Sequence, residues 1–201
     1  MLDELLEPER GRRSLRTAGE RARSAARGAA ARVYDRLEEE TVIWERDWDV
    51  LCILDACRLD LMQSMAAEGR YDYLPPREEI DTLWSVGSQS AEWMGRTFAP
   101  AYADEMARTA YVTGNPFTGQ DCAHMDEVSG ETLPLREEEF GLLYEAWRTE
   151  WLHASISTIP PRPLTDAAIH VWRNREQFDV DHVVVHYMRP HAPFRSRPEW
   201  F

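Results

Sequence analysis

The sequence predicts an α/β fold with a mainly parallel sheet in a three-layer α/β/α arrangement. Short apolar runs end abruptly at polar residues, as Val50–Leu54 does at Asp55, and helical spacing follows the first run. A continuous apolar run of this length is typical of a strand buried on both faces, the usual state in a parallel sheet. Strands that alternate with helices imply right-handed crossover connections between parallel neighbours.

The composition restricts the class of protein. The chain has 201 residues, enough for one domain with a sizeable core, and its net charge is −13. All 23 basic residues are arginine, and an acidic chain without lysine is typical of a high-salt interior. The negative charge argues against a duplex nucleic-acid partner, because phosphates would be repelled. Three cysteines favour free thiols, and no apolar run is long enough to cross a membrane, so we expect a cytoplasmic protein.

The first part of the chain differs from the rest, which predicts two regions. Residues 1–43 form an Arg-rich amphipathic helix and linker, and residues 44–201 form the α/β domain. All arginines of the first forty residues lie between Arg10 and Arg36, beside a stripe of mostly alanine at helical spacing. Residues 10–36 are therefore expected either to contact an anionic membrane peripherally or to lie on the protein's own acidic body.

The predicted elements follow the first strand in order. They are a helix from Leu59, a strand or extended segment at 80–86, a helix at 91–98, a strand at 110–113, a loop at 118–135, helices at 137–153 and 165–178, and a strand at 181–188. The helix at 137–153 is predicted from aromatic and aliphatic residues on one face. In the next helix Thr165 is the expected cap, with Ile169 and Trp172 facing inward.

Three polar clusters follow the strand-like segments. They are Asp55, the Ser88/Ser90 pair and the His186/His191 pair. The carboxyl ends of parallel strands share one edge of a sheet, where α/β proteins bind their ligands. A carboxylate binds a divalent cation, a serine beside it can become a nucleophile, and a histidine can bind or protonate the transferred group. The set predicts phosphoryl or sulfuryl transfer to a serine.

Each cluster also has a purely structural interpretation. Asp55 can cap the helix that follows it, and one of Ser88 and Ser90 can cap the next helix. His186 at the end of a strand can be a hydrogen-bonded structural residue. These alternatives stay open at the level of sequence.

Four blocks of the chain resemble one family. Leu54–Asp60, Gly87–Trp93, Tyr111–Pro116 and His186–Phe194 are similar, in order and spacing, to blocks of sulfatase-like proteins of the alkaline phosphatase superfamily, in the branch found in halophilic archaea. The similarity extends from about Trp44 to the end of the sequence.

The resemblance implies roles for particular residues. Asp55 and Ser90 would bind a divalent metal ion (Mn, Ca, Mg or Zn), and Ser90 would be the nucleophile. His191 would contact the transferred or leaving group, and Arg58 and His186 are candidate substrate-binding residues. The substrate would be a small-molecule or glycan ester of phosphate or sulfate. The modified-cysteine motif of true sulfatases is absent, which favours a phosphoester.

The resemblance also implies that part of the family's fold is not in this sequence. The family completes its metal site with an Asp-His pair downstream of the last block, and the sequence ends at Phe201. We therefore expect the N-terminal half of the fold, with an apolar sheet edge that a partner chain covers. The alternative function is a catalytically incomplete remnant or interaction subunit.

Overall fold

A four-stranded parallel sheet organises the part of the chain that the structure describes. Its strands are β1 (Val50–Leu54), β2 (Thr109–Thr113), β3 (Leu142–Glu145) and β4 (His182–Tyr187), in the order β1-β4-β2-β3. All three pairings are parallel. The predicted α/β class and parallel sheet are confirmed.

The structure is a computed structural model that describes residues 40–119, 135–149 and 158–192. The unit that contains the sheet begins at Thr41. The Arg-rich segment at 10–36 lies outside the described residues, so its helix and its membrane contact stay predictions. Most of the predicted loop at 118–135 also lies outside them.

Helices lie between β1 and β2 and between β3 and β4. They are α1 (Leu59–Ala67), α2 (Ser90–Thr97), α3 (Ala103–Ala107), α4 (Pro161–Arg173) and α5 (Arg175–Phe178). Single 3-10 turns lie at Ile43–Glu45, Arg77–Glu79, Pro100–Tyr102, Pro116–Thr118, Glu137–Glu139 and Ala146–Arg148. Within the described ranges, no helix has the length and apolar character needed to cross a membrane.

Two apolar clusters pack against the sheet. Leu164 and Val171 of α4 belong to the first, together with Val112 of β2 and Val185 of β4. Neighbouring strand residues point to opposite faces, so the residues next to these valines face the other way.

The second cluster contains those neighbouring residues. Tyr111 and Val184 pack there with Met94 and Phe98 from the α2 segment. Phe98 and Tyr111 lie 4.7 Å apart between ring centroids. The carboxyl edge of the sheet is thus supported from both faces by well-packed side chains.

The predicted helix at 137–153 is wrong over its described residues. Residues 142–145 form β3, which pairs with β2 through Tyr111 and Leu143, and 3-10 turns flank it. Residues 150–157 lie outside the described ranges. Gly141 begins this segment at a close approach, where an added Cβ would lie 2.5 Å from a methyl group of Val180. A glycine inside the helical pattern was the available signal against a helix.

The prediction that β1 is buried on both faces is also wrong. Val50 and Leu54 are 42% and 38% exposed, and Cys52 between them is exposed. These three residues share one face of β1, which is an edge strand among the described strands. The alternation of burial along β1 is typical of an edge strand with one covered face.

Two details of the other segments differ from expectation. The helix α4 begins at Pro161 with no side-chain cap, and the Thr165 hydroxyl instead bonds the Pro161 carbonyl and the Tyr187 hydroxyl. Ile169 is exposed, whereas Trp172 packs inward as predicted. The segment at 80–86 is extended, with a single bridge from Ser85 to Thr41.

Candidate functional site

Asp55 lies at the carboxyl end of β1, directly after the last strand residue. Its backbone N–H donates to the Tyr187 carbonyl at 3.0 Å, which ties the turn to β4. Ala56 follows in the left-handed region, with φ of 58°. This conformation costs a non-glycine residue roughly 1–2 kcal/mol and reverses the chain immediately after the carboxylate. The N-cap of α1 is Arg58, without a side-chain bond, so the Asp55 carboxylate is not the cap of that helix.

Ser90 is the first residue of α2, and its hydroxyl faces Asp55. The distances from Ser90 Oγ to the two carboxylate oxygens of Asp55 are 3.4 and 3.5 Å, across 35 positions of sequence. Both side chains are partly buried. The first and second polar clusters predicted from the sequence therefore meet at one edge of the sheet.

Asn115, two residues after β2, is the third member of this group. Its side-chain Nδ2 donates to Asp55 Oδ2 at 3.4 Å, and its side-chain oxygen accepts from the Phe117 N–H at 3.0 Å. Asn115 is 1% exposed. Among the sequence predictions, Asn115 occurs only within the Tyr111–Pro116 block and has no assigned role. Its position just past the carboxyl end of β2, like that of Asp55 past β1, was the signal that pointed to a role.

The electrostatic environment of Asp55 has opposing components. Burial raises the pKa of the Asp55 carboxyl above its usual value. The charge of His191, the Ser90 hydroxyl and the Ala56 N–H act in the opposite direction, since each stabilises the carboxylate. A partly buried carboxylate with a raised pKa and a serine within reach is suited to accepting the serine proton.

Neither Ser88 nor Ser90 caps α2, because the N-cap is Gln89 and no side chain bonds there. Ser88 instead binds Glu92 in the turn before the helix. Its N–H and its hydroxyl donate to the Glu92 carboxylate at 2.8 and 2.7 Å. Burial acts to raise the pKa of Glu92, but these two bonds and the charge of Arg96 outweigh it and lower that pKa. The Ser88 hydroxyl is thus bound to Glu92, whereas the Ser90 hydroxyl faces Asp55.

His186 lies inside the sheet edge. It is 2% exposed, and its Nδ1 lies 2.8 Å from the Tyr111 hydroxyl. Burial lowers the pKa of His186 to about 4, so its ring is neutral near pH 7. The Trp93 ring packs edge-on against the imidazole at 5.9 Å. This placement favours the structural interpretation of His186, in which the buried ring supports the carboxyl ends of the strands by packing.

His191 and Arg58 lie nearer the surface. His191 is exposed, and its Nδ1 lies 2.5 Å from the Ala192 carbonyl oxygen, while its charge acts on Asp55. The Arg58 guanidinium binds the Asp60 carboxylate in a two-point contact at 2.9 and 3.0 Å. Both groups of that pair are exposed. Arg58 is thus engaged by its neighbour, and substrate binding by Arg58 stays a prediction.

The end of β3 carries a second carboxylate that sequence analysis missed. Glu145 accepts from the Thr118 hydroxyl at 2.6 Å and from Arg148 at 2.5 Å. The charge of Glu145 is therefore paired with that of Arg148, and the bond to Thr118 holds the Pro116–Thr118 turn against β3. Glu145 was not recognised because residues 137–153 were predicted to be a helix, and only a strand places this residue at the carboxyl edge of the sheet.

The donor set of this group does not by itself complete a divalent metal site. Asp55 and Ser90 offer a carboxylate and a hydroxyl, and Asn115 turns its NH₂ rather than its oxygen toward Asp55. Calcium takes six to eight oxygen ligands. Across the described residues, no group of three or more His, Cys, Asp or Glu side chains is placed to hold a metal ion.

Comparisons of the sequence and the fold with known proteins give no match to any family model, any curated protein or any solved structure.

Proposed function

We propose that the chain carries part of a hydrolase or transferase site that acts on a phosphate or sulfate ester through Ser90. The observation that carries the proposal is the meeting of Ser90 Oγ with both oxygens of Asp55, 35 positions away in sequence. The proposal includes membership of the sulfatase-like group of the alkaline phosphatase superfamily and a three-layer α/β/α arrangement. Helices packed through two clusters on opposite faces of a parallel sheet support that arrangement.

The proposed reaction follows from the placement of the groups. The Ser90 oxygen attacks the phosphorus or sulfur atom, and its proton passes to the Asp55 carboxylate. The bond from that atom to the ester oxygen breaks, and His191, acting as the general acid, donates a ring proton to the departing alkoxide. Water then attacks the ester formed on Ser90 and gives one proton to His191. The bond to Ser90 breaks, phosphate or sulfate leaves, and the Ser90 oxygen takes its proton back from Asp55.

The divalent ion that the resemblance implies (Mn, Ca, Mg or Zn) is part of the proposal, with Asp55 and Ser90 among its ligands. Further ligands would have to come from groups outside the described residues or from a partner chain. Calorimetry with Mn²⁺ at high salt tests this, and we expect micromolar binding that Asp55→Ala abolishes. Equal binding by the two proteins would contradict the assignment of Asp55.

The catalytic proposal is tested with aryl phosphates and aryl sulfates in high salt with Mn²⁺. Ser90→Ala is expected to reduce the rate by roughly a thousandfold or more, because the nucleophile is removed. The matched control is Ser64→Ala, at an exposed serine of α1 whose hydroxyl donates to the Asp60 carbonyl. Mass spectrometry after acid quenching should find a phosphorylated Ser90. Wild-type rates in Ser90→Ala would refute the proposal.

A specific observation supports a second candidate, an interaction subunit. All the exposed large hydrophobic side chains of the described residues except Ile169 lie between Val50 and Trp84. The edge strand β1 contributes two of them, and exposed apolar edge strands are templates for pairing with another chain. We expect light scattering to give a mass above 23.3 kDa. Leu54→Arg should restore the monomer; a monomeric wild-type chain would contradict self-association.

A further inference from the structure

Buried polar side chains cluster after β2, where the chain turns toward Asp55. Thr113 and Thr118 are fully buried, and Asn115 between them is 1% exposed. Burying polar groups is unfavourable unless each has a hydrogen-bond partner. Each of these three side chains has one, so this turn is held by a satisfied polar network.

The orientation of the Asn115 amide is determined by its neighbours. Its backbone N–H donates to Thr113 Oγ1 at 3.0 Å, and its side-chain oxygen accepts from the Phe117 N–H, also at 3.0 Å. Only the amide oxygen can accept that bond, so Nδ2 must be the atom on the side of Asp55. Nδ2 then lies 3.4 Å from Asp55 Oδ2.

The turn that carries Asn115 is anchored to β3. The Thr118 hydroxyl bonds Glu145 at 2.6 Å, accepts from the Trp147 indole at 3.0 Å and lies 3.2 Å from the Asn115 carbonyl oxygen. Arg148 holds the other oxygen of Glu145 and stacks over the Trp147 ring at 4.2 Å. Asn115 is therefore fixed from the strand on the far side of β2.

We propose that Asn115 is a positioning residue whose side-chain amide holds the Asp55 carboxylate toward Ser90. The significance of that orientation depends on the proposed function, but the contact itself does not. Asp55 directly precedes Ala56, which has a left-handed backbone, and the carboxylate is joined to that backbone through two rotatable side-chain bonds. The Asn115 donor, which is itself held by bonds to the ends of β2 and β3, restricts that rotation and keeps the carboxylate within reach of the Ser90 hydroxyl.

An exchange of the two side chains tests the contact without any substrate. Asn115→Asp places two carboxylates against each other, and we expect a lower urea midpoint. Adding Asp55→Asn restores one donor and one acceptor in reversed positions, and most of the lost midpoint should return. A residue that only forms the turn would not produce this rescue, because its effect would be independent of position 55. Equal losses from Asn115→Asp in the wild-type and Asp55→Asn backgrounds would overturn the proposal.

The control for the cycle lies at the other end of the same strand. Thr109 is fully buried and bonds the Glu105 carbonyl at 2.7 Å. Thr109→Val removes a buried hydrogen bond of β2 far from the site, so its effect should add to that of Asp55→Asn without coupling. Coupling of similar size in this pair would mean that Asp55→Asn perturbs the whole sheet, which would also overturn the proposal.

NMR on folded variants supplies a second readout if Asn115→Asp does not fold. The side-chain NH₂ resonances of Asn115 should shift in Asp55→Asn and stay unchanged in Ser64→Ala. Unchanged resonances in Asp55→Asn would overturn the proposal. Rescue in the exchange cycle together with wild-type hydrolysis by Ser90→Ala would reject the proposed function and leave the Asn115–Asp55 contact standing.

Discussion

Acidification is expected to destabilise the protein through His186. The imidazole is 2% exposed, and burial lowers its pKa to about 4 from an ordinary value of 6.5. In the unfolded chain the ring takes up a proton as the pH falls through 6.5, whereas in the folded protein it stays neutral until about pH 4. The contribution of His186 to the free energy of unfolding is therefore complete above pH 6.5. It decreases progressively as the pH falls from 6.5 to about 4.

The size of the effect follows from the two pKa values. One pKa unit corresponds to about 1.4 kcal/mol, so the gap amounts to roughly 3 kcal/mol of unfolding free energy. The groups against His186 do not titrate in this range. Burial raises the pKa of Tyr111 above its usual value, and Trp93 carries no charge. The nearby carboxylates Asp55 and Glu145 act on Tyr111 and are present in any His186 variant.

Urea unfolding between about pH 7.5 and 4.5, at constant high salt, measures this effect. His186→Gln keeps a polar group that can accept from the Tyr111 hydroxyl and removes the titration. The wild-type protein should lose roughly 2.5 kcal/mol more than the variant over this range, which ends just above the pKa of His186 in the folded protein. Because all carboxylates are common to both proteins, their contributions cancel. Parallel pH profiles would refute the assignment of a neutral buried imidazole.

Two other predictions concern the support of the site. Gly87→Ala should lower the unfolding free energy by about 1–3 kcal/mol and displace Ser90, since the added Cβ would lie 2.3 Å from the Trp93 backbone nitrogen; an unchanged urea midpoint would contradict this contact. Leu164→Ala should cost about 2–5 kcal/mol, because the side chain is fully buried, whereas Leu61→Ala at an exposed position should cost less than about 1 kcal/mol; equal losses would mean that α4 does not cover the sheet as described.

Part of the candidate site could be predicted because the sequence shows where strands end. Asp55 was identified as the polar residue that ends the apolar run Val50–Leu54, and Ser90 was identified from the Gly-Ser turn before a helical pattern. The parallel arrangement then predicted that both lie at one edge of the sheet. The observed Ser90–Asp55 distances agree with that expectation.

Asn115 and Glu145 could not be assigned in the same way. Asn115 has the sequence context of an ordinary turn, and its role depends on which atom of its amide faces Asp55. Glu145 lies in a segment whose apolar residues fit a helix and a strand equally well. Short apolar segments do not decide between the two, because the pairing partner supplies the deciding energy. Here that partner is β2.

The sequence by itself determined the general α/β class, the bounds of β1 and the polar residues that follow the strands, because apolar periodicity and turn chemistry are local properties. Only the tertiary structure decided the strand order, the exposed face of β1, the burial of His186 and the contacts of Asp55 with Ser90 and Asn115. These features depend on which distant segments pack together, and packing is a property of the whole chain rather than of any local pattern.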